Sequence, residues 1–317
     1  MSTDTPVTPT TAPPPRLRLT PWRLAVLTAR GLVSDRRERR EELAGRARDR
    51  RRSLRALDPG LRAPVFVLGA PRSGTTFLGS CIGTLPGVSY HFEPRVTKAA
   101  ARQVFEGTWS EQRAGRLFRS AYGLLQVAAG EGGRRFVEKN PENCFIVPFL
   151  ARTFPDARFV QIIRDGRDVA VSHAEKPWLS ARSVGDTRRG RGGQAWGPWA
   201  RWWVERDRAE EFTTASDLTR TAWSWRRFTE AAMAGLAELP ADRVLTVRYE
   251  DVVQDPVRAA EEIGAFFGHA TPPDELRAAL LQAKPNSVGR WRTALDADGL
   301  ADVERESGAL LRQLGYA

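Results

Sequence analysis

The segment Val65-Phe66-Val67-Leu68-Gly69-Ala70-Pro71-Arg72-Ser73-Gly74-Thr75-Thr76-Phe77-Leu78 constrains the rest of the chain more than any other. Its four consecutive apolar residues read as a strand buried on both faces, which calls for a parallel sheet with helices above and below. The glycine-bounded turn then feeds a helix beginning near Gly74. Backbone N–H groups and a helix N-terminus are thereby aimed at one point, an anion cradle. The spacing matches the Walker pattern G-x-x-x-x-G-K-[ST], but Thr75 stands where the lysine belongs. The cation available inside the loop is Arg72. The loop is therefore read as holding the 5′ phosphate-like group of a nucleotide, without magnesium–ATP chemistry.

The same strand-to-helix grammar continues downstream. Strands are predicted at 64–69, 88–92, 135–138, 158–163 and 243–247, with helices beginning near Gly74, Asn143, Asp165 and Asp217. The expected class is α/β: a P-loop-like parallel β-sheet flanked by helices on both faces, in three layers. Ligands of such sheets bind at the carboxyl ends of the strands, where each further motif falls. A chain of 317 residues suits one large domain with appendages. Residues 1–20, Thr/Pro-rich, read as a disordered tail, 21–60 as an Arg-rich helical extension, and 61–317 as the main domain. Within it, 176–214 carries Trp178, Trp196, Trp199, Trp202 and Trp203 with little periodicity, as expected of a lid-like insertion.

The net charge of +11 suits an anionic partner but does not choose among nucleotides, sulfated or phosphorylated ligands, nucleic acid and anionic lipid. In the extension, Trp22, Leu24, Leu27 and Leu32 precede Arg36-Arg37-Glu38-Arg39-Arg40-Glu41-Glu42. Acids interrupt the basic run, so a helix packed on the main domain, with Glu–Arg pairs, is preferred to a membrane-surface or nucleic-acid arm. Peripheral membrane contact through 21–57 stands as the alternative, and no nucleic-acid partner is expected. The oligomeric state is not readable. Cys81 and Cys144 lie in apolar contexts without metal spacing and read as buried thiols. No metal site is expected. Without a signal-peptide pattern or an apolar stretch of spanning length, the expected location is cytoplasmic. Nearly all basic residues are arginine, which makes the lysines Lys98, Lys139, Lys176 and Lys284 departures from the default.

A second anion motif follows the predicted strand at 158–163. Arg164 leaves the strand end and Ser172 lies eight residues on. A helix doubling back brings the guanidinium fork and the hydroxyl towards one anion. Arg167 and Asp168 read at least as well as a charge pair at the helix start. On the acceptor side, Glu93 ends the strand Val88-Ser89-Tyr90-His91-Phe92 beside Pro94 and is the first candidate for a general base. His91, two residues away on the same strand face, is the second. The structural alternative pairs Glu93 with Arg95 or Arg72. Lys139 ends another predicted strand, and the adjacent Glu138, although it points to the opposite face, is kept as a further candidate base.

Taken together, these motifs resemble those of the PAPS-dependent sulfotransferases, which use 3′-phosphoadenosine-5′-phosphosulfate. The loop at 69–76 is similar to their 5′-phosphosulfate loop in its arginine form. Glu93 matches the place of the base in the tyrosylprotein and heparan-type branches. In the cytosolic branch a histidine base lies two residues beyond the lysine, where Pro141 stands here. The resemblance implies that Arg72 contacts the sulfuryl group and the bridging oxygen. It implies that Ser73, Gly74, Thr75 and Thr76 hold the 5′-phosphate and that Phe77 lies near adenine. Arg164 and Ser172 would bind the 3′-phosphate, and Lys139 the charge on the leaving phosphate. Tyr249, in Val247-Arg248-Tyr249-Glu250-Asp251, would line the adenine pocket. Arg290 and Arg292, in Lys284-Pro285-Asn286-Ser287-Val288-Gly289-Arg290-Trp291-Arg292, would close over the 3′-phosphate, with Lys284 a weaker contact and Trp291 a packing residue. The implied activity is metal-free sulfuryl transfer to an acceptor hydroxyl on a carbohydrate, glycolipid or small metabolite, releasing PAP. The rival readings are a P-loop nucleotide kinase or NTPase, which Thr75 disfavours, and a non-catalytic nucleotide- or nucleic-acid-binding protein. The resemblance runs from about residue 63 to 316 and leaves out the Arg-rich extension.

Overall fold

Alternation within the first strand sets the layers. Val65 and Val67 join one apolar cluster while Phe66 and Leu68 join another, and all four are fully buried. In the computed structural model, which describes residues 18–42 and 60–316 (side chains of 36–42 excepted), this strand lies at the centre of the sheet. The strands are β1 (Val65–Leu68), β2 (Val88–Phe92), β3 (Arg135–Lys139), β4 (Arg158–Ile163) and β5 (Val244–Arg248). They pair in parallel in the order β2-β3-β1-β4-β5.

Phe66, Phe136 and Phe159 face the helices Glu111–Ala129, Val147–Thr153 and Asp217–Leu236. Val67, Val137, Val160 and Val247 face Thr75–Ile82, Pro256–Phe266 and Asp274–Leu280. This is the expected three-layer α/β architecture. The register sets Phe92 opposite Lys139 and Val67 opposite Lys139 on its other side. The chain therefore leaves β1, β2 and β3 at one level, and residues 69–76, Glu93 and Lys139 emerge together at the carboxyl edge.

Boundaries differ from expectation for local reasons. β5 starts one residue late because Ala241–Arg243 forms a 3₁₀ turn, and β3 runs on to Lys139. In place of one helix near Asn143 stand a 3₁₀ turn, Pro141–Phe145, and a separate helix, Val147–Thr153. Pro148 has no N–H to donate and is accommodated in a first helical turn, so a new helix begins there. The helices Arg95–Phe105 and Glu111–Ala129, between β2 and β3, had not been anticipated.

The helix Pro21–Glu42 packs on these two helices. It buries Gly31 and Asp35 and leaves Trp22 and Val33 exposed. The tail to residue 17, the remainder of the extension at 43–59 and the Glu–Arg pairing expected along 36–42 lie outside what is described. Residues 176–214 contain 3₁₀ turns at Ala181–Ser183 and Arg206–Arg208, the helix Ala209–Thr214 and one bridge, Arg189 with Ala195. Arg201 pins this region by donating to the carbonyls of Ala195, Trp178 and Gly197.

Gly69, at φ 148°, lets the loop leave β1 in close contact with β4. A Cβ there would lie 2.6 Å from the Ile162 carbonyl oxygen and 2.9 Å from Thr75 Cγ2. Gly87, at φ 74°, has nothing within 4 Å of such a Cβ. Gly87→Ala is expected to lose about 1 kcal/mol, the cost of a side chain at positive φ. Gly69→Ala adds an overlap with backbone and is expected to lower the urea midpoint well beyond that. Equal midpoints in the two variants would show that β1 and β4 tolerate separation at the loop.

Candidate active site

The loop is built from backbone that few side chains tolerate. Arg72 adopts φ 72° and Gly74 φ 92°, and the Ser73 N–H donates to the Ala70 carbonyl at 3.1 Å. Gly74 begins the helix Thr75–Ile82 and offers no capping side chain to its first N–H groups. A Cβ at residue 74 would lie 2.6 Å from the Tyr249 ring, so Tyr249 sits directly against the turn. Phe77 meets Tyr249 edge-on, with ring centroids 6.5 Å apart. Ser73 is buried, and its Oγ has no hydrogen-bond partner among the described residues. Such an orphan in an anion cradle fits a phosphate oxygen.

The second motif converges on the first. Arg164 leaves β4 and donates to the Arg72 carbonyl at 3.2 Å and to the Ser287 carbonyl. Its guanidinium lies 4.7 Å from the Tyr249 ring centroid. The helix Gly166–Ala174 brings Ser172 back, and Ser172 Oγ accepts from Arg72 Nε at 3.3 Å. Arg72, Arg164, Ser172 and Tyr249 thus form one cluster. Burial, and then the neighbouring Arg164, lower the Arg72 pKa from its ordinary value.

Arg167 and Asp168 do not pair with each other. Arg167 forks onto Asp165 at 2.7 Å. Asp168 accepts from the backbone N–H groups of Gly289 and Trp291 at 2.8 and 2.9 Å, docking the C-terminal segment. Within that segment Arg290 is engaged by Glu175 and Arg292 lies against Trp291. Both arginines and Lys284 are exposed and stand outside the Arg72–Arg164 cluster. Ser287, not anticipated from sequence, does reach it: its Oγ lies 2.9 Å from the Tyr249 hydroxyl.

Beside the loop opens a cleft of about 510 Å³, lined by Arg72, Thr75, Thr76, Glu93 and Lys139 and walled by the region 189–203. Glu93 follows the end of β2 at φ 41°. That left-handed turn swings its side chain away from the face expected for a strand residue. His91 consequently does not share a site with Glu93. It is fully buried, stacked on Phe136, 2.8 Å from Ser89 Oγ and 3.1 Å from Asp35 Oδ1.

Glu93 is held by two lysines and not by Arg95 or Arg72, the partners of the structural alternative. Oε1 lies 2.5 Å from Lys139 Nζ and Oε2 lies 3.0 Å from Lys98 Nζ. Lys98 also meets Glu142 at 2.5 Å. Burial pushes the Glu93 carboxyl up, but the two ammonium groups outweigh it and hold it at about 2. Burial pushes Lys139 down to about 8, against the pull of Glu93. His173, also missed in the sequence, lines the cleft beside Ser172, and burial with Arg72 and Arg201 holds it neutral, at about 3. Cys81 and Cys144 are free and buried, their thiols pushed up to about 12 by burial.

A family model described as the sulfotransferase family matches residues 64–273. That span is more than half the chain and contains the loop, Glu93, Lys139, Arg164, Ser172 and Tyr249. The chain belongs to the sulfotransferase family. Protein-tyrosine sulfotransferase 2 of Gallus gallus is 26% identical over 266 residues, covering 78% of this chain and 60% of that protein. Carbohydrate sulfotransferase 5 of Mus musculus is 26% identical over 189 residues, covering 54% of this chain and 44% of that one. The chain thus spans less than two thirds of the length of these curated relatives. Sulfotransferase STF9 from Mycobacterium avium shares the fold, with a TM-score of 0.54 at 13% identity over 93% of this chain and 86% of that chain. Among the described residues no helix is long and apolar enough to cross a membrane.

In this member of the family Glu138 is a support and not a cleft residue. It is fully buried and accepts from Tyr122 at 2.5 Å, Asn143 at 2.8 Å and Thr97 at 3.3 Å. Burial pushes its carboxyl from 4.5 up to about 7, against those hydrogen bonds. Between these values the folded chain keeps a proton that the unfolded chain has released, so rising pH weakens folding across that window and has no further effect above it. Glu138→Gln removes this titration. The loss of unfolding free energy from about pH 5 to about pH 8, followed by urea denaturation, should be smaller in the variant than in the parent. Parallel pH dependences would show that Glu138 is ionised throughout.

Proposed function

We propose that this chain transfers the sulfuryl group of PAPS to an acceptor hydroxyl. The observation that carries this reading is the meeting of two anion-binding motifs at Arg72, whose Nε donates to Ser172 and whose carbonyl accepts from Arg164. A mononucleotide phosphate needs only the loop at 69–76. The second cluster gives a further phosphate a guanidinium and a hydroxyl, which suits a nucleotide phosphorylated at its 3′ position. Ser73, with its orphaned Oγ, and the N–H groups of Gly74, Thr75 and Thr76 would hold the 5′ end. Phe77 and Tyr249 would flank the base, and Arg290 and Arg292, on the segment that Asp168 docks, would be the further cations for the 3′-phosphate. PAPS supplies a sulfuryl group on a good leaving group.

The residues of the cleft divide the remaining work. Glu93 accepts the proton of the acceptor hydroxyl as its oxygen attacks sulfur. Arg72 and Lys139 stabilise charge on the transferring oxygens and the departing phosphate, so that positioning and electrostatics carry the rate. Trp178, Trp196 and Phe92 with Arg189 and Arg191 around the cleft support a sugar-bearing acceptor: aromatic faces pack on rings and arginines engage polar groups.

Calorimetric titration with PAP and with AMP tests the donor. PAP is expected to bind the more tightly, and Arg164→Ala should cut that preference at least about tenfold. Equal affinities in the parent would overturn the donor assignment, as would magnesium-dependent ATP turnover. Glu93→Gln should keep PAP affinity while transfer falls by about 10²–10⁴. Transfer at the parental rate would remove Glu93 as the base.

A further inference from the structure

The Glu93 carboxylate is bound at both oxygens, by Lys139 at 2.5 Å and Lys98 at 3.0 Å. A carboxylate clamped by two ammonium groups is a poor proton acceptor, so one of them has to withdraw before it can act as a base. The two lysines are not equivalent. Lys139, at the end of β3, has one carboxylate partner and lies 3.9 Å from the Phe92 ring centroid. Lys98, on the helix Arg95–Phe105, has two, Glu93 and Glu142, and Glu142 is steadied by Gln194 at 3.4 Å. Lys139 also lines the cleft beside Arg72, which is where a sulfuryl group would bring negative charge.

We propose that Lys98, anchored by Glu142, is a positioning residue that keeps Glu93 oriented and ionised when Lys139 turns from Glu93 to the donor. This rests on the sulfuryl-transfer reading above. The proton then passes from the acceptor hydroxyl to Oε1, the oxygen that Lys139 releases. The acceptor oxygen bonds to sulfur, the bond from sulfur to the bridging oxygen breaks, and its electron pair stays on the 5′-phosphate of PAP.

The backbone supports the arrangement. Glu93 sits at φ 41°, a conformation costing a non-glycine residue about 1–2 kcal/mol. It is held there by the hydrogen bond from its N–H to the Lys139 carbonyl at 2.9 Å and by Arg191, which donates to its carbonyl at 3.3 Å. Movement of the Lys139 side chain therefore leaves the Glu93 backbone fixed. The charged and titratable groups that line the cleft with Glu93 are Lys98 and Arg95 from their shared helix, Lys139, Glu142, Arg72, His173, and Arg189, Arg191 and Arg201 from the insertion. Of these, Lys98 and Lys139 pair directly with its carboxylate and lower its proton affinity.

The test is the pH profile of kcat/KM for the acceptor at saturating PAPS, from about pH 4 to about pH 9, on the full chain. In the parent with PAPS bound, Lys139 has left and Lys98 alone opposes burial, so the Glu93 limb stands above the value of about 2 that both lysines give, and activity falls as pH drops through it. Lys98→Met withdraws the remaining cation, so that limb should move up by about one pH unit, an added loss of about tenfold below it. PAP affinity should stay within about twofold, because Lys98 is not among the donor contacts. Lys98→Arg should restore the parental limb, and Glu142→Gln should not raise it. If Lys98→Met fails to fold around the unpaired Glu142, the double variant Lys98→Met/Glu142→Gln removes both charges and should still show an upward limb, smaller because the Glu142 anion is gone as well. An unmoved limb in a transferring variant, or an even loss at every pH, overturns the proposal while leaving the donor assignment intact. Absence of transfer from PAPS in the parent overturns both.

Discussion

The hydrogen bond from the Arg164 guanidinium to the Arg72 carbonyl is the joint on which the site turns. It ties the end of β4 to the loop that follows β1, across the one seam of the sheet where the strand order runs outward in both directions. Arg72 can present that carbonyl because its own backbone is left-handed, at φ 72°. The same residue then reaches Ser172 with its side chain. A single residue therefore takes part, through main chain and side chain, in both anion clusters. Trp225 fixes the opposite end of this joint by donating its indole N–H to the Arg164 carbonyl at 2.9 Å. The helix Asp217–Leu236 thereby sets the height of Arg164 above the sheet, and core packing is transmitted directly to the proposed phosphate contacts.

The choice of lysine in an arginine-rich chain has a physical reason here. Lys98 and Lys139 are both buried and stand at hydrogen-bonding distance from one carboxylate. A guanidinium fork carries five donors to be satisfied, whereas a compact ammonium is satisfied by the one or two carboxylate oxygens present at each position. An ammonium also changes its proton affinity with burial, as Lys139 does in falling to about 8. Glu142 anchors Lys98 beside Glu93, so the proposed base faces one fixed cation at 3.0 Å and one exchangeable cation. That asymmetry follows from Glu142 lying in the 3₁₀ turn Pro141–Phe145, directly after β3.

Much of this was readable from residue order, and what was not has a common cause. The β1–loop–helix unit and the return from Arg164 to Ser172 are local, each set by a few consecutive residues whose backbone preferences agree. Partners were the weak point. For Glu93 the sequence offered Arg95 or Arg72 as the alternative ion-pair partners, yet the parallel register placed Lys139 beside it and an unanticipated helix placed Lys98 there. His91 was expected on the same face as Glu93 because strand geometry alternates. The chain leaves strand geometry at Glu93, and a glutamate, unlike glycine, asparagine or aspartate, does not advertise a positive φ. Lys98 did carry a signal, being one of only four lysines, but without the helix Arg95–Phe105 that signal had no location. Arg290 and Arg292 matched a pattern while their side chains found Glu175 and Trp291.

The extension that lies outside the family match is wired to the strand that carries Glu93. Asp35, on the helix Pro21–Glu42, approaches His91 in the middle of β2. One residue earlier, Ser34 accepts from Arg191, whose guanidinium also donates to the carbonyls of Phe92 and Glu93. Arg191 thus spans three parts of the chain distant in sequence: the N-terminal helix, the end of β2 and the region 176–214. Buried polar contacts of this kind are satisfied only when all the participants are in place, so they specify one arrangement more than they add stability. The N-terminal helix is then a wall of the cleft's support and not a solvated appendage. The left-handed turn at Glu93 keeps its direction because the residues on either side of it are gripped from both.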